Sequence, residues 1–543
     1  MRRTKKWLAI GMSVAMLFGV AACGKDVAST GTETKQSSTA TETGNKTTEA
    51  GSESKVEEKE PVTLEWWYRG NGIQKDTEKV EEEFNKLLQT FSGMEHVTVN
   101  LNCYDSASYK QAVILAQSAG QQIDILNTVN LTFAEEVEKG SFISLDDYLA
   151  ENEALYNELP EWLWDLGSVD GSVYMVPNYQ RAANMNYFVT PKEYMDKYGD
   201  IDKFKEVFND GQWTLEEAAE LLEEYILAVQ AGEGNTKYGY PFGYNAIDVN
   251  GLLDRNDKIT GNYYIKAEGS DKVEHKYLTE DAVKSFEIAA DWYERGLIHP
   301  DVLTIDNYGD FGNSNMLNDV AFVYTFKNFA GEEERAAEYF TTSLRMDCYA
   351  IALYPNYYIQ SVWAAGGNGV TATCENPEEA VRLIELMTTE EGTELYNMIV
   401  YGLEGVHYEK IDDTHIKTLE YDSTQGASGN SYAGIKWILG NTFHAYLNQG
   451  CADGDNEVAL AINESPDNVK SDLTGFNAKV DSISSYLDQV NSVTKEYSKV
   501  LETGAMGSEW KDFYDEFVKK MDGAGHQEIL KELQTQVDAH LAK

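Results

Sequence analysis

The chain has 543 residues with 91 acidic and 44 basic side chains, a formal charge of −47 at pH 7. So acidic a surface excludes a nucleic-acid partner and disfavours polyanionic substrates, because a phosphate backbone needs a basic one. Neutral ligands and cations remain, and 34 Tyr with 10 Trp suit ring stacking on sugars as well as a large core.

Arg2, Arg3, Lys5 and Lys6 precede an apolar run from Trp7 to Val20, closed by Val20-Ala21-Ala22-Cys23. This is the succession of a secretory signal, and its apolar part is shorter than the ~20 residues a spanning helix needs. An aliphatic residue, two alanines and a cysteine resemble the lipobox of bacterial lipoproteins. That resemblance implies removal of residues 1–22, lipidation of Cys23 and a place on the outer face of a membrane, with a Gram-positive cell expected. Gly24 to Pro61 is Ser, Thr, Gly, Glu and Lys with almost nothing apolar, so it cannot offset its ordering entropy. Residues 23–60 are therefore expected to be a disordered tether with a reach of about 35 Å.

The remaining length suits two lobes rather than one core. Val62 to Tyr68 alternates as a strand, Gly70-Asn71-Gly72 breaks it, and Thr77 to Leu88 carries helical periodicity. Val97 to Leu101 is a second strand, Ser108 to Ser118 a helix, and Ile123 to Leu126 a short buried strand. Phe133 to Lys139 is helical and stops at Gly140. This alternation predicts a parallel α/β sheet. Leu215 to Val229, Ala282 to Arg295, Pro377 to Thr388 and Glu391 to Ile399 read as amphipathic helices, and Asp481 to Lys543 as mostly helical.

Several stretches then fall in a familiar order. They are Lys139 to Tyr148, Asp170 to Pro177, Gln212-Trp213-Thr214 before Leu215, Tyr293 to Ile298, Met316 to Tyr324 and Pro377 to Ala380. Together they resemble the extracellular solute-binding proteins of carbohydrate ABC importers. Tyr401 to Tyr408 (YGLEGVHY), Leu501 to Gly504 and Glu532 to Gln536 are similar to the LplA-like lipoproteins and their C-terminal domain. The resemblance implies two α/β lobes of mixed, mostly parallel sheets flanked by helices, a helical C-terminal extension, and a ligand cleft between the lobes. Residues 61–177 and 326–372 are expected in lobe one, and 180–324 and 375–543 in lobe two. The implied function is to bind a neutral oligosaccharide and deliver it to the importer's membrane subunits. A monomer without cofactor or metal is expected. A surface glycan adhesin or sensor on the same fold is the alternative.

In such sheets ligands sit beyond the carboxyl ends of strands, which selects loops. After the first strand come Trp67 and Tyr68, of which at least one is core. Asn127 and Asn130 follow the third strand, as hydroxyl readers or as turn formers. Tyr179, Arg181 and Asn184 fall in the crossing between lobes at Asn178 to Asn184. The Arg181 fork suits adjacent hydroxyls or an ion pair equally. Tyr244, Asn245 and Asp248 are weaker candidates. Tyr324, Phe326 and Lys327 mark an expected return crossing at Val323 to Asn328. Trp363 is the expected stacking platform with Asn368 as its polar neighbour, and Trp437 is either a further ring or core.

No HExxH, GxSxG or Walker loop is present, and His299 before Pro300 reads as a helix cap, so no enzyme is expected. A carboxylate pair for glycoside hydrolysis stays open among so many acids. Asp453, Asp455 and Glu457 lack the glycine of a calcium loop. Cys103, Cys348, Cys374 and Cys451 match no CxxC pattern, unpaired thiols are expected, and Cys348 with Cys374 is the pair to test for a bridge.

Overall fold

The computed structural model describes residues 59–208, 211–241, 256–266, 270–304, 315–327, 333–359, 366–419 and 431–542. The signal segment, Cys23, the tether up to Glu58, Tyr244, Asn245, Asp248 and Trp363 lie outside them. No helix among the described residues is long and apolar enough to cross a membrane.

The first sheet begins with β1 (Val62–Arg69), parallel to β2 (Val97–Tyr104) on one edge and to β3 (Ile125–Asn127) on the other. As a central strand it is covered on both faces. Leu64, Trp66 and Tyr68 enter the main core of the lobe, while Trp67 enters a second cluster with Tyr109 and Phe142. The chain leaves this sheet after β4 (Val176–Pro177) and enters the second as β5 (Ala183–Pro191), nine residues buried throughout. Thr214 and Glu217 form a reciprocal capping box at the start of the helix Leu215–Glu233, which accounts for helix initiation directly after Trp213.

β6 (Tyr238–Pro241) follows, then a small antiparallel sheet of β7 (Asn256–Thr260), β8 (Tyr263–Lys266) and β9 (Glu274–His275). β10 (Val320–Lys327), β11 (Cys348–Ala352) and β12 (Tyr358–Ile359) all pair antiparallel with β5. β13 (Gly367–Val370) belongs to the first sheet, and β14 (Val469–Lys470) again to the second. The strand orders are β2-β1-β3-β13-β4 and β14-β12-β5-β10-β6, with β11 also on β5. Both sheets are mixed, and the second carries more antiparallel pairs than strand–helix alternation suggests.

The return crossing differs from expectation. β10 stays in the second sheet from Val323, opposite Val189, to Lys327, opposite Met185. Tyr358 and Ile359 still pair with Asn184 and Ala183, so the chain goes back only between β12 and β13. The boundary at 375 moves as well. Helices Pro377–Thr388 and Thr393–Tyr401 bury Ala380, Leu383, Ile384, Leu395 and Ile399 in the core of lobe one beside Leu64 and Trp66. Each of these fully buried Leu and Ile side chains contributes about 1.5–3 kcal/mol, which fixes this segment to the first lobe. Helix Asp455–Asn463 then underlies the first crossing. The Asn463 Oδ1 accepts the N–H groups of Ala182 and Ala183, and its Nδ2 donates to the Gln180 carbonyl.

The C-terminal helices Ser484–Thr503, Trp510–Gly523 and His526–Leu541 share a core with Tyr263 and Ile265 of the small sheet, with Tyr277 just after it and with Phe286. Gly504 ends the first of them at φ +66°, and a Cβ there would lie 2.1 Å from the Ala289 carbonyl carbon, so only glycine fits. This module also touches lobe one: the Glu135 carboxylate accepts the N–H groups of Val480 and Asp481, and Lys479 pairs with Glu138. Cys348 lies in the core of lobe two and Cys374 against that of lobe one, and the two form no bridge.

Candidate functional site

At the carboxyl edge of the first sheet, β1 is followed by Gly70, where a Cβ would lie 2.4 Å from the Cys103 sulfur. The residue must be glycine for β1 and β2 to lie this close. Two asparagines organise the edge. Asn127 donates to the Ile438 carbonyl at 2.7 Å and to Asn368 Oδ1 at 3.2 Å. Asn368 Oδ1 also accepts the Trp66 indole N–H, and its Nδ2 donates to the Leu439 carbonyl, both at 3.2 Å. Both asparagines are buried and spent on these bonds, so they hold a backbone segment rather than read hydroxyls.

The segment they hold is the turn Lys436–Ile438. Ile438 is buried in the lobe-one core, whereas Trp437 is 38% exposed. Trp437 therefore projects from a pinned turn, with the Lys436 ammonium 4.3 Å from its ring centre. Trp67 and Tyr68 behave differently: both rings are buried, Tyr68 in the main core and Trp67 5.0 Å from the Tyr104 ring. A strand sandwiched between two covered faces has no open side for either. The Trp67 Nε1 and the Arg69 Nε, both buried, have no hydrogen-bond partner among the described residues.

The crossing segment packs beside this edge. Tyr179 is buried between Trp162 and Phe443, donates its hydroxyl to Glu464, and is stapled by backbone bonds to Gly440 and Thr442. Its role is to fasten the crossing. Asn184 donates to the Ala182 carbonyl, while its Oδ1 and that of Asn178 are buried without a partner among the described residues. Asn130 is exposed, sits at φ +68° and donates weakly to the Ser106 carbonyl, as a turn former does. With Thr128, Met175, Thr260, Phe476 and Asn477 it lines a cavity of about 250 Å³ between lobe one and the module of the small sheet and C-terminal helices. A larger one of about 740 Å³, among Lys192, Lys205, Asp347 and Tyr349, touches lobe two alone. Only the backbone of Tyr324, Phe326 and Lys327 is described, inside the second sheet.

Arg181 donates to Asp455 Oδ2 at 2.7 Å, and Arg335 bonds the other oxygen of the same carboxylate. Of its two expected roles, this is the ion pair. Burial pushes the Asp455 carboxyl up, but the bonds from Arg181 and Arg335 outweigh it and the net shift is down. Burial, and then the charge of Arg181, lower Lys436 to about 8. Sequence reasoning missed Lys436 and Arg335. Lys436 had a signal in its place beside Trp437, whereas Arg335 had none. His299 accepts the Asp301 N–H at its Nδ1, a capping arrangement.

Residues 85–403 match the family model of the bacterial extracellular solute-binding proteins, and residues 472–542 match a domain of unknown function (DUF3502). The carbohydrate ABC transporter substrate-binding protein of Streptococcus pneumoniae serotype 4 is 23% identical over 468 residues, 84% of this chain and 87% of that one. Among solved structures, the N-glycan transport solute-binding protein NgtS of Streptococcus pneumoniae is similar at a TM-score of 0.66 and 19% identity. That likeness covers 89% of this chain and 100% of NgtS. An HMO-binding, ABC-transporter-associated solute-binding protein of Bifidobacterium longum infantis is similar at 0.57 and 13% identity, over 88% and 99%. With more than half of its length matched by the family model, the chain belongs to the bacterial extracellular solute-binding proteins.

Proposed function

We propose that the protein captures a soluble oligosaccharide outside the cell, closes its lobes on it, and presents it to the membrane subunits of an ABC importer. The observation that carries this reading is the placement of Trp437. A large apolar ring stands open at the carboxyl edge of the first sheet, on a turn pinned by Asn127 and Asn368. An indole so placed stacks on the apolar face of a sugar, and polar groups around it fix orientation. Kinship supports the ligand class: NgtS, at a TM-score of 0.57, is solved with Man1GlcNAc. Closure follows because a ligand touching both lobes only when they meet stabilises that state by its differential affinity. The reading includes no bond-breaking step on the sugar, a monomer, and anchoring through acyl chains on Cys23.

A thermal-shift screen against xylo-, manno-, gluco- and galacto-oligosaccharides and N-glycan fragments, followed by titration calorimetry, tests it. Ligand at a hundredfold excess over Kd adds about 2.7 kcal/mol and raises Tm. No shift with any soluble glycan, or breakdown products on thin-layer chromatography, contradicts the reading.

A further inference from the structure

The helix Phe133–Glu138 of lobe one carries Glu135, Glu136 and Glu138, and they serve different ends. Glu136 is spent inside the lobe, accepting from Gln117 and Ser141 and pairing with Lys139. Glu135 is buried too, yet its bonds run out of the lobe. Its Oε1 accepts the N–H of Val480 at 2.8 Å and that of Asp481 at 3.0 Å, both from the C-terminal module. Glu138 pairs with Lys479 beside them. The receiving segment is fastened to its own module independently. The Lys479 N–H donates to Gln536 Oε1 at 2.8 Å, and the Gln536 Nε2 donates to the Lys479 carbonyl at 2.9 Å. The two N–H groups that follow are thereby held ready for a carboxylate, which lowers the cost of engaging one.

The cavity of about 250 Å³ ties this contact to the crossings. Met175 and Gly366, just before the first crossing and just before β13, line it together with Phe133 and Val480. Widening the gap between lobe one and the module therefore opens the cavity and breaks the Glu135 bonds at once. We infer that Glu135 and residues 479–481 form a latch between the lobes of the ligand-free protein, and that latching is a task of the C-terminal domain of unknown function at 472–542. Bonds to an ionised carboxylate are stronger than neutral ones, and the latch places two of them where the gap shuts. The flanking Lys479–Glu138 pair is 49% exposed on each side and adds little. Bonds so few populate the closed arrangement without locking it, so a ligand that touches both lobes still shifts the balance further. The latch goes beyond oligosaccharide capture and needs no ligand; its failure leaves capture standing.

Small-angle scattering and hydrogen exchange on the ligand-free whole chain decide this. In Glu135→Ala the peptide that holds Val480 and Asp481 should exchange about tenfold faster, and the radius of gyration should rise above the parent's. Glu135→Gln keeps an acceptor oxygen without the charge and should fall between the two. A radius equal to the parent's in a folded Glu135→Ala protein whose peptide exchanges faster overturns the inference, because the lobes then stay together without the bonds. Unchanged exchange overturns it as well, because the bonds are then not made in solution. Should Glu135→Ala fail to fold, Glu135→Gln is held to the same two criteria.

Discussion

Replacing Trp437 by alanine removes the ring on which the proposed binding depends, and the size of the loss can be worked from its exposure. The side chain is 38% exposed, which for an aromatic of ~250 Å² leaves roughly 95 Å² for a ligand to cover. At about 25 cal/mol per Å² full coverage is worth about 2.4 kcal/mol, and half coverage about 1.2 kcal/mol. Lys436 lies over the ring at 4.3 Å and occupies part of it, so the lower figure is the better guide. Affinity should fall between roughly eightfold and fiftyfold. Titration calorimetry with the tightest glycan from the screen measures this, with Trp437→Phe expected to lose less. Since the ring is not in the core, Tm should barely change. A Trp437→Ala protein that folds normally and binds within twofold of the parent refutes the assignment.

Lys436→Met should raise stability at neutral pH. Burial, and then Arg181, hold the folded-state amine near pH 8 against 10.5 ordinarily. Between those values the unfolded chain binds the proton and the folded one does not, so the parent gains stability as pH rises. The Tm gap between variant and parent should narrow above pH 8, and a gap constant to pH 10 contradicts this. Gly70→Ala drives a Cβ to 2.4 Å from the Cys103 sulfur and should cost about 1–3 kcal/mol by chemical denaturation. Pairing it with Cys103→Ala should recover much of the loss, and additive costs contradict the contact. Asn368→Ala strips the Trp66 N–H and the Leu439 carbonyl of a partner and should cost about 1–3 kcal/mol. Because it unpins the turn that carries Trp437, it should also weaken glycan binding; unchanged affinity argues against that coupling.

The first strands and helices were legible because their apolar periodicity is local, and the capping box before Leu215 is written in adjacent residues. Which face of β1 opens to a ligand was not. Alternation separates Trp67 from Trp66 and Tyr68, but only the neighbours from distant segments decide that both faces are covered. The return crossing was misplaced for a similar reason: the apolar run of β10 reads the same whether it stays in a sheet or leaves it. Residues 377–401 went to the wrong lobe because an amphipathic helix announces a buried stripe without naming the core that receives it. The ion cluster was least visible. Asp455 stands 274 residues from Arg181 and 120 from Arg335, and no local pattern joins such positions. Asn127 and Asn368 were found as polar groups at the right place, yet their bonds run inward.

Small-angle scattering of the protein with and without a saturating oligosaccharide puts the two-lobed clamp to the most direct test. Closure on the ligand predicts a smaller radius of gyration in the saturated protein, with the change reduced in Trp437→Ala at the same glycan concentration in proportion to its lower occupancy. A radius that stays constant while calorimetry records full occupancy contradicts it.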